Sequence, residues 1–169
     1  HSAYLMYPLL EPHGASNSGM LTLSSVEITS SIRRSLPIST SVSKILDLDR
    51  CYSLSRMKTD NGKELVLFNV HTSAYGASPE IREGQMSMLF TDMKAEYDKG
   101  NYVVCGGDYN HDFTGDSIEV LNDKDVPRSD WAQPFPAELL KNYPGISRAL
   151  NYTCGEQRPT CRDCDIPYK

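Results

Sequence analysis

The chain has 169 residues, 39% of them hydrophobic, which suits one domain with a packed core and argues against disorder. Its longest apolar runs, such as Val66-Leu67-Phe68 and Tyr102 to Cys105, fall far short of the roughly 18 to 20 residues that cross a bilayer, so the chain reads as soluble. A net charge of −5 disfavours tracking of long nucleic acids, whose phosphates call for lysine and arginine, but is compatible with small phosphoesters or a local basic pair such as Arg33-Arg34.

In chain order, the β-branched and loosely alternating residues 20 to 32 predict one or two strands, with a turn at Ser24-Ser25. Arg33 and Arg34 follow, either as exposed side chains on a strand edge or as phosphate contacts. Residues 50 to 58 and 63 to 71 then predict a pair of strands joined through Thr59-Asp60-Asn61-Gly62, since Asn-Gly favours the positive φ of a hairpin turn. With a period of two, Leu65, Leu67, Asn69 and His71 share one face of the second strand, and the polar pair falls at its C-terminal end. Ser78-Pro79-Glu80 is a helix start, Met86, Leu89, Phe90, Met93 and Tyr97 form an apolar stripe at helical spacing, and Gly100 is a stop. Tyr102 to Cys105 predicts a short buried strand. A helix between two strands usually joins parallel neighbours of one sheet, so His71 and the Gly106-Gly107-Asp108 turn are expected on the same rim. Beyond Phe113 the pattern weakens among repeated prolines, and only Ala137 to Leu140 suggests a helical turn.

Five cysteines are present. Cys51 and Cys105 lie in strand-like runs and read as buried thiols, whereas the C-x6-C-x2-C spacing of Cys154, Cys161 and Cys164 is compatible with zinc or a disulfide without calling for either, since a closed zinc site needs a fourth ligand.

The chemistry concentrates in Gly106-Gly107-Asp108-Tyr109-Asn110. A carboxylate there can ligate Mg²⁺ or deprotonate a water, an amide can donate to a phosphoryl oxygen without adding charge, and His71 can supply a proton or hydrogen bond. The same residues also fit a tight turn in which Asp and Asn bond their own backbone. His111 and Asp112 read as solvated turn residues; His1 and His13 carry no signal.

Asn-Val-His at 69 to 71 within NVHTSAYG, the helix with IREGQ at 81 to 85, and VVCGGDYNHD at 103 to 112 together resemble the endonuclease/exonuclease/phosphatase superfamily, and SGMLTLSS with RRSLPI is similar to its earlier strand pair. The resemblance implies an α/β (α+β) fold, part of a four-layer sandwich of two mainly antiparallel sheets between helices. It implies hydrolysis of a phosphodiester or phosphomonoester with Mg²⁺ or Mn²⁺, with His71 assisting the phosphate, Asp108 activating water and Asn110 holding the phosphate. Asp108 and Asn110 would also be metal-contacting residues. Tyr109 stands where phenylalanine is commoner.

The superfamily's N-terminal asparagine and glutamate motifs and its terminal Ser-Asp-His motif have no counterpart in this sequence. Residues 1–169 are therefore expected to be a single incomplete domain, the middle of an enzyme, inactive alone. A non-catalytic module binding a phosphate ligand or a protein on the same scaffold is the alternative. The expected partner is a phosphate-ester substrate, whether nucleic acid, lipid headgroup or small molecule. No stable protein partner is expected, although exposed sheet edges would permit self-association. Localisation is left open, including a secreted or membrane-anchored parent.

Overall fold

The computed structural model describes residues 2–5, 16–38, 49–74, 78–115 and 133–150. Its strands are β1 (Ser2–Leu5), β2 (Ser16–Gly19), β3 (Ser30–Ser35), β4 (Cys51–Lys58), β5 (Glu64–His71), β6 (Tyr102–Asp108), β7 (His111–Asp112) and β8 (Gln133–Pro134). Helix α1 spans Pro79–Asp98 and the short α2 spans Ala137–Leu140. The fold is α+β. Strands β3-β4-β5-β6 form one mixed sheet, and β1-β2 and β7-β8 are separate two-stranded pairs.

The β4–β5 hairpin forms as its alternation predicts, with Lys58 opposite Glu64. Only Gly62 of the turn takes a positive φ, at +80°, while the Asn61 side-chain oxygen accepts from the Lys63 amide at 3.2 Å. Register places Tyr52, Leu54, Val66, Phe68 and Val70 on one face, all nearly or fully buried. Met86, Leu89, Phe90 and Met93 of α1 close over them and complete the core with Phe135 and Leu36. Each such side chain withdrawn from water contributes about 1.5–3 kcal/mol, which makes this two-layer contact the principal support of the rim described below. Among the described residues no helix is long and apolar enough to cross a membrane.

Several sequence expectations are corrected here. Residues 20 to 29 are not a strand, and the ladder starts at Ser30. The earlier segment crosses the other face of the sheet, where Asn69 Nδ2 donates to the Leu21 carbonyl at 3.2 Å and Ser24 Oγ to Met57 Sδ at 3.4 Å. Leu21, Leu23 and Val26 stay exposed, so their alternation reports no burial. Ser78 occupies the N-cap position but makes no side-chain cap bond. Strand β6 runs on through both glycines to Asp108 instead of ending at Cys105, and it is not a buried strand, since Tyr102 and Val104 are half exposed. Tyr97 is half exposed, because Glu96 takes the inward position of that turn. Of the cysteines, both described ones are free thiols; Cys51 is buried, whereas Cys105 is only half-buried against the core, and desolvation there pushes its thiol up to about 12. Cys154, Cys161 and Cys164 lie outside the described residues, as do His1 and His13.

Glu96 fastens the C-terminal end of α1 to the sheet. Arg56 holds it through two parallel bonds of 2.7 and 2.8 Å, and Lys99 and Asn101 add donors at 2.6 and 3.1 Å. Arg56 first, and then Lys99 and Asn101, hold its carboxyl down at about 2 against the opposing effect of burial. A carboxylate whose folded value lies below its ordinary 4.5 contributes stability that is complete above 4.5 and disappears as pH falls through 2. Urea midpoints should therefore decline between about pH 5 and pH 2 in the wild type, with a flatter decline in Glu96→Gln. At pH 7, Glu96→Ala should cost on the order of 3 kcal/mol. Equal acid profiles for wild type and Glu96→Gln would refute the assignment.

Candidate active site

The connection through α1 makes β5 and β6 parallel, and their register pairs His71 directly with Asp108 as the two strands end. The ladder is extended by one bond, from the Thr72 amide to the Asp108 carbonyl at 3.0 Å. Beyond it, Asn110 adopts a left-handed φ of +48°. Its amide N–H donates to Asp108 Oδ1 at 2.9 Å, which is the local turn that the sequence allowed as an alternative. Its side chain does something else: Nδ2 donates to the Thr72 carbonyl at 2.9 Å, and Thr72 Oγ1 in turn donates to the Tyr109 carbonyl. The turn after β6 is thus tied to the residue after His71, which fixes Asp108, Asn110 and His71 in one rim.

Helix α1 holds the other side of this rim. Thr72, Ser73 and Ala74 are buried loop residues whose backbone needs partners. Gln85 supplies them, accepting from the Ser73 amide at 2.9 Å and donating to Ser73 Oγ at 2.9 Å and the Pro37 carbonyl at 2.6 Å. Arg82, one helical turn earlier on the same face, donates to the Ala74 carbonyl. The Arg and Gln of IREGQ therefore position the segment that follows the histidine.

His71 is half-buried and Asp108 is open, with side chains 38% and 61% exposed, and His71 Nε2 stands 3.7 Å from Asp108 Oδ2. The nearer group is Arg50, only 7% exposed, whose Nη1 lies 2.7 Å from the same ring nitrogen. The rim thus gathers a carboxylate, an amide, an imidazole and a buried cation.

No protein-family model matches the chain, and no curated protein sequence does. Among solved structures it is similar to the crystal structure of ANGEL2, a 2',3'-cyclic phosphatase. The likeness has a TM-score of 0.42 and 16% identity, over 91% of this chain and 42% of that one, so the chain spans less than half the length of that protein. At that level it carries no weight in assigning the site, which stands on its own residues.

A Mg²⁺ ion prefers six oxygens in near-octahedral array. Among the described residues no group of three or more His, Cys, Asp or Glu is placed to hold a metal ion. Asp108 provides one carboxylate, with one oxygen already accepting from Asn110, and Asn110 could add only its side-chain oxygen, which leaves most of the six positions without a protein ligand. These two residues do not by themselves fit a metal centre.

Of the other polar candidates, Arg34 faces away from the rim, its Nε 3.2 Å from Asp92 Oδ2 beneath α1. Arg33 bonds Ser35 Oγ at 2.7 Å on the edge strand. His111 and Asp112 are half-buried in β7, paired with β8, and not solvated turn residues. His111 meets Phe135 edge-on and its Nδ1 is bonded to the Tyr109 carbonyl; burial pushes its imidazole below the ordinary value, that bond opposes the shift and the Arg82 charge adds to it. Arg50 was missed by the motif reading, since its place at the rim depends on hairpin register and no local pattern marks it.

Proposed function

We propose that the β5–β6 rim is part of a phosphoester-hydrolysing site. The observation that carries this reading is the pairing of His71 with Asp108 at the ends of two parallel strands, beside a buried guanidinium and an amide locked by Thr72. Asp108 is open enough to orient and deprotonate a water for in-line attack on phosphorus. The neutral Asn110 amide lies where it can face the phosphoryl group without repelling it, and the Arg50 guanidinium beside His71 gives the rim its positive charge for an anion. The resemblance of the Asn-Val-His and Gly-Asp-Tyr-Asn motifs to the endonuclease/exonuclease/phosphatase superfamily supports the same reading. Dependence on Mg²⁺ or Mn²⁺ belongs to the proposal, with Asp108 and the side-chain oxygen of Asn110 as contributing ligands.

The test is hydrolysis of a panel of phosphomonoesters and phosphodiesters by the full-length gene product with Mg²⁺ or Mn²⁺. Metal-stimulated turnover of either class is the expected result; no turnover of any member would reject the reading.

With one carboxylate at the rim, the 169-residue chain tested alone should bind Mg²⁺ weakly, with Kd on the order of millimolar or above, and turn over little. Calorimetric titration checks the first point and the ester panel the second. Micromolar Mg²⁺ affinity or robust hydrolysis by this chain would contradict it. A non-catalytic phosphate-binding module is the second reading, favoured by the use of Asp108 Oδ1 within its own turn. It predicts saturable binding of inorganic phosphate at the rim without hydrolysis in the full-length protein.

A further inference from the structure

Two groups near His71 Nε2 ask opposite things of it. Asp108 Oδ2, at 3.7 Å, could only accept a proton from it, whereas Arg50 Nη1, at 2.7 Å, can only donate to it. A guanidinium has five N–H donors and no acceptor and stays charged at any ordinary pH, so the shorter contact has one possible polarity. Nε2 must be the acceptor, and the proton of a neutral ring must then sit on Nδ1. The distances decide between the neighbours: 2.7 Å is a hydrogen bond, and 3.7 Å is not.

The contact is built by the backbone. Antiparallel register sets Cys51 opposite His71, so Arg50 arrives beside the ring as soon as β4 begins. Its own carbonyl accepts from the Leu36 amide at 2.8 Å, which anchors the residue before its side chain is considered. The guanidinium is buried, and a buried cation facing a second N–H would meet both repulsion and the loss of an acceptor. Asp108 is too exposed to reverse this, because solvent screens its pull on the ring.

We propose that Arg50 is the positioning residue of His71: it selects the Nδ1–H form of the imidazole and keeps Nε2 as a hydrogen-bond acceptor at the rim. Resting on the phosphoester reading, this changes the role of the histidine. In this arrangement Nε2 does not donate to a phosphoryl oxygen, because its one lone pair is taken by Arg50, and the fixed donor at this point of the rim is the guanidinium.

The test is nitrogen-detected NMR on the full 169-residue chain labelled with ¹⁵N-histidine, with His71→Gln identifying the His71 signals among the four histidines. At neutral pH the wild type should show protonated Nδ1 and unprotonated Nε2. Arg50→Gln should shift the tautomer ratio toward Nε2–H by about tenfold or more, as loss of a charge-assisted bond implies. Arg50→Lys, which keeps a cationic donor, should restore part of the wild-type ratio. A protonated Nε2 in the wild type overturns the proposal, as does a folded Arg50→Gln with an unchanged ratio. If Arg50→Gln does not fold, the wild-type spectrum and the Lys variant decide. The readout needs no turnover, so an inactive full-length protein would sink the phosphoester reading and leave this one standing, and a wrong tautomer would do the reverse.

Discussion

Replacing Asp108 with alanine should lower kcat/KM for phosphoester hydrolysis by the full-length gene product by about 100-fold or more, the usual scale for removal of a positioned acid–base group. The carboxylate has two separable jobs at the rim. Its Oδ1 accepts from the Asn110 amide and holds the turn, while Oδ2 is left toward His71 and the open side. Asp108→Asn distinguishes them, since an amide oxygen can still accept from Asn110 but cannot take a proton from water. Both variants should therefore lose turnover, whereas only Asp108→Ala should weaken protection of the Asn110 amide in hydrogen exchange. Full activity in Asp108→Asn would make the residue a turn former and nothing more. Full activity in Asp108→Ala would remove it from the site altogether.

The parts of this rim that could be read in the sequence are those encoded by short-range periodicity. Alternation in ELVLFNVH gives β5 and its C-terminal His71, and helical spacing from Met86 to Met93 gives the face of α1 that packs on it. The length of the intervening connection gives parallel β6 and brings Asp108 to His71. The parts that could not be read depend on contacts between segments. Arg50 precedes His71 by 21 positions and joins it only through hairpin register. Gln85 and Arg82 look like polar positions on a helix until the buried loop at 72–74 supplies the backbone groups they satisfy. Tyr97 continues the apolar stripe in sequence, yet Arg56 draws Glu96 inward at that level and rotates the tyrosine to the surface. Residues 20 to 29 alternate like a strand, but the Leu21 carbonyl meets the Asn69 side chain, and it is Thr29, at the end of the segment, whose amide bonds the β4 backbone. The residues of Gly-Gly-Asp-Tyr-Asn alone lean toward a turn, and it is the resemblance of the motifs that raises a phosphoester site as the reading.

Gly107→Ala should destabilise the protein by about 3 kcal/mol and displace Asp108, while Gly106→Ala should be nearly neutral. The two neighbours look equivalent in sequence, as a hinge letting the chain leave its strand. In the structure both are within β6, and their surroundings differ completely. A Cβ at position 107 would lie 2.2 Å from the Val70 carbonyl oxygen and 2.8 Å from the Val70 nitrogen, and φ there is +131°. Both obstacles are backbone, so no rotamer change relieves them; β5 and β6 would have to separate at the very rung before His71 and Asp108. At position 106 an added Cβ meets nothing within 4 Å. Denaturant titration gives the stability difference, and the His71–Asp108 geometry gives the consequence for function. A Gly107→Ala protein that survives at low temperature should hold the α1 core yet lose most hydrolytic activity, because the rim and not the core has moved. Equal stability and activity for the two alanine variants would mean that the close approach of β6 to Val70 does not set the position of Asp108.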